Sequence, residues 1–180
     1  MPGLPRLRRP ALPDTAPLIV SALFGAADFA WLDGLRRAHF PPERNQLSAH
    51  LTLFHHLPPS VEEELKHRLS EAARRPRPKA EAIGVMNLGR GVAIRISSPD
   101  LSAIREDLAQ AFASLLTPQD AVGWRPHVTI QNKVGAPEAK ALHAALESGF
   151  RQCFVQIDGL AAWRYRGGPW EPLSRHMFRG

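Results

Sequence analysis

HLTLFHH, residues 50–56, and HVTIQNK, residues 127–133, both read His-x-Thr followed by a branched aliphatic residue. The two histidines lie 127 − 50 = 77 residues apart. The same offset carries Thr52 onto Thr129, Leu57 onto Val134, Leu65 onto Leu142 and Leu69 onto Leu146. The match therefore covers a strand, its connection and the apolar face of the helix that follows. With eight histidines and four threonines in 180 residues, random placement gives about 0.2 such pairs. Two copies in matched contexts indicate an internal repeat, two similar halves related by a pseudo-two-fold axis.

The periodicity on either side fits an α+β chain. Leu18–Phe24 is a short apolar run and predicts a strand; about Asp28–His39 predicts a helix. Leu47–Leu57 predicts the first His-x-Thr strand. Ser60 opens a helix, with Glu63 as its capping-box partner and Val61, Leu65 and Leu69 on its buried face. Residues 80–97 predict two strands around Gly89-Arg90-Gly91. Ser98-Pro99 starts a helix whose apolar face is Leu101, Ile104, Leu108 and Leu115. Trp124–Val134 predicts the second His-x-Thr strand, Pro137 to Gly149 a helix, and the C-terminal segment strands around Gly167-Gly168-Pro169.

Length and composition bound the rest. A chain of 180 residues makes one domain with an adequate core. Residues 1–16, rich in Pro and Arg, read as a mobile arm, and residues 17–180 as one domain holding both copies of the repeat. The run LIVSALFGAA resembles the apolar part of a secretory signal, but its short length and the helical pattern after it favour a buried strand. A single cysteine, Cys153, forms no internal disulfide and fits a reducing compartment such as the cytoplasm. No stretch approaches a membrane span. The net charge of +6 favours an anionic partner: nucleic acid, nucleotide or phosphorylated small molecule.

Side chains two apart share a face of a strand. Leu51, Leu53, Val128 and Ile130 therefore face the core. His50 and Thr52 face the other way with Ser48, Phe54 and His56; His127 and Thr129 do so with Arg125, Gln131 and Lys133. If the halves face each other, two imidazoles and two hydroxyls line one cleft of donors and cations, suited to a phosphate. His55 falls on the opposite face, and no nearby Cys, Asp or Glu completes a metal-ligand set. Trp163, Tyr165 and Trp170, interleaved with Arg164 and Arg166, are placed either to stack bases or to edge the core.

The motifs HLTL and HVTI, with the closing WRYRGGPWEPLSRHMF, resemble the two-histidine phosphoesterase superfamily, and within it the bacterial 2′-5′ RNA ligase and RNA 2′,3′-cyclic phosphodiesterase branch. The resemblance spans about Leu18 to Phe178. It implies a bilobal α+β fold, with sheets lining a central cleft and helices outside. It also implies metal-independent phosphodiester chemistry in which His50 and His127 are catalytic and Thr52 and Thr129 hold phosphate oxygens. The residue types agree with that. Histidine takes or gives a proton near neutral pH, and two of them on opposite walls suit an in-line displacement at phosphorus. The expected substrate-binding set is Thr52, Thr129, Arg125, Gln131, Lys133, Phe54 and Tyr165, with no metal and no cofactor. The expected partners are RNA ends or nucleotides carrying a cyclic phosphate, bound by a monomer with no membrane involvement. The alternatives are a binding module with the same cleft and no turnover, or a phosphodiesterase of a small cyclic metabolite.

Overall fold

The structure, a computed structural model, describes residues 14–180. The elements, in chain order, are β1 (Leu18–Phe24), α1 (Ala26–His39), β2 (Leu51–Leu57), α2 (Glu62–Ala72), β3 (Lys79–Asn87), β4 (Val92–Ser97), α3 (Pro99–Ala111), the single turn α4 (Pro118–Ala121), β5 (His127–Gln131), α5 (Ala136–Gly149), β6 (Cys153–Arg164) and β7 (Glu171–Met177). Every strand pair is antiparallel. The strand order is β1-β2-β5-β4-β3-β6-β7, and a further β1–β6 pairing closes the sheet.

Two strands hold the closure. The long β6 pairs with β3 through Cys153–Gln156 and with β1 through Ile157–Arg164. On the other side β2 meets β5 at one residue pair, Leu51↔Val128. The sheet thus divides into two arcs, β2-β1-β6-β7 and β5-β4-β3-β6, that part just beyond the His-x-Thr motifs. The helices lie outside: α1 packs on β5, α5 on β3 and β4, α3 on β3, and α2 against β6 and β7. The fold is mixed helix and sheet, with a closed antiparallel sheet. The apolar run at the start, read as a strand, is β1, paired on both sides with Leu18, Val20 and Ala22 in the core. Among the described residues no helix is long and apolar enough to cross a membrane.

Local chemistry explains most element ends. Ser98 caps α3 by accepting from the Leu101 N–H, and Pro99 takes the first turn. The Ser60–Glu63 capping box does not form. Pro58 and Pro59 favour a 3-10 turn over Pro59–Val61, so α2 starts at Glu62 without a side-chain cap. Leu115 is 43% exposed, because α3 stops at Ala111 and the buried Phe112 takes the core position instead. Residues 1–13 of the expected arm lie outside the described residues. The remainder of it is tied down: Ala16 is buried, and Asp14 pairs with Arg164 and Arg166 on the β6–β7 side.

The β3–β4 turn needs its glycines for different reasons. Gly89 has φ +82, while a Cβ on Gly91 would strike the Gln131 carbonyl oxygen at the end of β5 and Asn132 Cα just past it. Gly91→Ala is expected to lower stability by about 2 kcal/mol in urea denaturation, because backbone is what must yield. Gly84→Ala, where a Cβ meets nothing within 4 Å, is the control expected near zero. Equal midpoints for the two variants would show that β5 moves aside freely.

Candidate active site

The single Leu51↔Val128 pair fixes the geometry of the site. Antiparallel register through it sets His50 beside Thr129 and Thr52 beside His127, with Leu51 and Val128 fully buried beneath. His50, Thr52, His127 and Thr129 all line one cavity of about 300 Å³. Its other walls include Arg105, Asp120, Trp124, Arg125 and Trp170.

Both imidazoles are held in the same way. His50 Nδ1 lies 2.7 Å from the Ser48 carbonyl oxygen, and His127 Nδ1 lies 2.7 Å from that of Arg125. A carbonyl only accepts, so each Nδ1 carries the proton and each Nε2 is left for the cavity. Ser48 and Arg125 are themselves 77 residues apart, so the repeat extends to the group that sets each tautomer. The electrostatics of the two rings differ. Burial pushes the His50 pKa down to about 4; the Ser48 carbonyl opposes this, while the charges of Arg36, His55 and His127 add to it. Trp170 covers the His50 ring, with centroids 4.6 Å apart at 56°.

Helix α1 sets the approach to both motifs. Asp33 accepts from the Ala49 N–H at 2.9 Å, just before His50. The buried Arg36 donates to the carbonyls of Leu47 and Thr129 and to the Asn45 side chain. On the other copy, Trp124 Nε1 donates to the Thr52 carbonyl at 2.9 Å. Each motif threonine therefore has its carbonyl held by a side chain from another element, as strands that part at this point require.

A bulge follows each threonine. In β2 the pairing passes from Ser21↔Thr52 to Val20↔Phe54, and in β5 from Ala93↔Thr129 to Val92↔Gln131. This extra residue reverses the expected alternation and corrects two assignments. Phe54, expected on the cleft, is 0% exposed in the core beneath Arg105. Gln131, expected beside it, is 3% exposed and donates toward Glu138. In exchange His55, expected on the far face, lines the cavity.

Two more expected contacts lie elsewhere. Lys133 stands beyond the end of β5 in left-handed backbone, φ 63, and lines a separate depression with Arg37, His39 and Arg44. Tyr165 is on the β6–β7 turn, bonded to Pro17 through its backbone, and lines neither cavity at the site. The aromatic pair that does reach the site is Trp163 and Trp170, with ring centroids 6.1 Å apart. They line a second cavity of about 490 Å³, with Phe24, Phe29 and Arg175, and it shares His50 and Trp170 with the first. Arg36, His55, Arg105 and Asp120 were not expected at the site. Among the described residues no group of three or more His, Cys, Asp or Glu is placed to hold a metal ion.

Comparison with protein-family models matches residues 24–169 to the 2′-5′ RNA ligase superfamily. No curated protein matches the chain at a significant level. Among solved structures, TT0787 of Thermus thermophilus shares 17% identity at a TM-score of 0.60, over 91% of this chain and 98% of that one. E. coli LigT complexed with 3′-AMP shares 21% identity at a TM-score of 0.53, over 93% and 100% of the two chains. E. coli LigT complexed with NADP⁺ shares 17% identity at 0.56, over 92% and 99%. These neighbours have the same closed fold. With a family match across most of its length, the chain belongs to the 2′-5′ RNA ligase superfamily, a family of two-histidine phosphoesterases.

Proposed function

We propose that the protein is a phosphodiesterase of RNA 2′,3′-cyclic phosphate ends, working through His50 and His127. The observation that carries this is the matched pair of Nδ1–carbonyl bonds, which leaves two Nε2 atoms for one cavity. In the reaction a water oxygen forms a bond to phosphorus as a bond from phosphorus to a ribose oxygen breaks. His50, held neutral by burial, takes the water proton at Nε2. His127, protonated at Nε2, delivers its proton to the departing ribose oxygen. The Thr52 and Thr129 hydroxyls, each beside the other copy's histidine, bind non-bridging oxygens, and Arg125 adds charge at the rim. The Trp163–Trp170 cavity next to His50 suits the terminal base. E. coli LigT, of the same fold, has been crystallised with 3′-AMP, ATP and phosphate, which supports a nucleotide phosphate as occupant of this cleft. Ligation is the same chemistry with a 5′-hydroxyl in place of water.

The test is incubation of an oligonucleotide ending in a 2′,3′-cyclic phosphate, with products resolved, in the presence of chelator. Conversion to a linear monophosphate is expected, undiminished by chelation. The pH profile of kcat/KM checks the assignment of the base. The neutral form of His50 is the active one, so activity is lost as pH falls through about 4. An ordinary histidine would lose it around 6.5. Tight binding without turnover would leave a binding module. An acid limb at the ordinary histidine position would move the base role away from His50.

A further inference from the structure

We propose that His55, seated on Asp120, is a specificity residue that binds the phosphodiester preceding the reacting phosphate and so selects RNA chains over cyclic mononucleotides. The inference rests on the reading of the cleft as a site for an RNA-end phosphate.

Asp120 is 1% exposed, on the single turn α4. Its carboxylate accepts from the His55 and His56 backbone N–H groups and from His55 Nδ1 at 2.9 Å. These bonds hold the Asp120 carboxyl below the usual carboxylate range, against the opposing effect of burial. Arg105, also buried, donates to the Asp120 backbone carbonyl and the Leu53 carbonyl. The ring of His55 thus has one nitrogen fixed on a buried anion, and it stays 43% exposed on the cavity that His50 and His127 line. A ring whose Nδ1–H is taken by a carboxylate leaves Nε2 for a ligand. When an anion accepts from Nε2–H, both nitrogens carry protons and the cation lies between two negative groups.

Position decides which anion. The four motif side chains gather around the Leu51↔Val128 pair and account for one phosphate. His55 lies three residues past Thr52, beyond the β2 bulge, and its bond to Asp120 sets it on the α4 side of the cavity. A phosphate held among the four motif side chains leaves that wall for the next phosphate of the same strand. Arg125 lines the same cavity. The apolar Trp163–Trp170 cavity opens on His50, which leaves the His55 side for a charged group. The β2 bulge is what turns His55 to this face; in a regular strand it would point away.

Equilibrium binding tests this apart from turnover, using adenosine 3′-monophosphate and the dinucleotide ApAp, which adds one internal phosphodiester and a second adenosine, so that the His55 variants report the phosphodiester. The wild type is expected to bind ApAp more tightly. His55→Gln should lose about tenfold to a hundredfold in ApAp affinity and shift 3′-monophosphate affinity by no more than about threefold, which also shows an intact cleft. His55→Lys, which restores a cation, should recover most of the loss. Equal affinity of the wild type for the two ligands, or equal weakening of both by His55→Gln, would overturn the proposal. Failure of cyclic-phosphate hydrolysis, with an ApAp preference that His55→Gln abolishes and His55→Lys restores, would count against the proposed reaction and leave the role of His55 standing.

Discussion

His50→Ala and His127→Ala should each lower turnover of a 2′,3′-cyclic phosphate by roughly a hundredfold to ten-thousandfold. Each removes one end of a proton transfer across phosphorus, and neither histidine is needed for the fold. The two rings bond only to the Ser48 and Arg125 carbonyls, groups near enough to the surface for water to replace the imidazole. The double variant should lose far less than the product of the single losses, because both groups serve one transition state. Ground-state affinity should fall modestly, since Thr52, Thr129 and Arg125 remain in the cavity. The set is measured by steady-state turnover and by equilibrium binding of a nucleoside 3′-monophosphate. Full rate in either single variant would end the two-histidine assignment. Multiplicative losses in the double variant would place the two rings in separate steps.

The architecture around those rings was legible where it rests on period and on local chemistry. The β1 bounds, the Ser98 cap, the glycine turn between β3 and β4, and the pairing of His with Thr on one face follow from alternation, capping and turn chemistry. What alternation missed was the bulge after each threonine. In β2 the signal was present: Leu53-Phe54 followed by His55-His56 sets two apolar residues side by side, then two polar ones, and breaks the period of two. Burial of both Leu53 and Phe54 demands an extra residue there. In β5 the corresponding residue is Gln131, polar and yet buried, so Val-Thr-Ile-Gln reads as regular and hides its bulge. Asp120 and Arg36 were invisible for another reason. A charged residue is buried only when distant partners satisfy it, and those partners, at separations of 65 and 93 residues, come together through topology. Sequence spacing does not separate Tyr165 from Trp170 as the aromatic residue at the site; the turn after β6 carries Trp170 back over His50.

Arg36→Ala should cost roughly 3–5 kcal/mol of stability, a larger effect than any surface ion pair in this chain supplies. Arg36 is 4% exposed, and its guanidinium satisfies the carbonyls of Leu47 and Thr129 and the Asn45 side chain while lying 4.1 Å over the Phe40 ring. Removing it strands three half-buried acceptors at once, two in the segment before β2 and one on β5, and an acceptor cut off from water without a partner pays its desolvation cost. Arg36→Lys should rescue little, since one ammonium cannot span acceptors that a planar fork reaches. The comparison is Arg37→Ala, one position along α1. Arg37 pairs with Asp33 at 3.0 Å, but its side chain is 70% exposed, so its loss should fall within about 1 kcal/mol. Chemical denaturation of the three variants decides the matter. If Arg36→Ala matches Arg37→Ala, water reaches those carbonyls, and α1 is not what holds the two motifs in register. If the large loss is found, the remaining folded enzyme should also turn over more slowly, because Thr129 is positioned through its carbonyl by this one side chain.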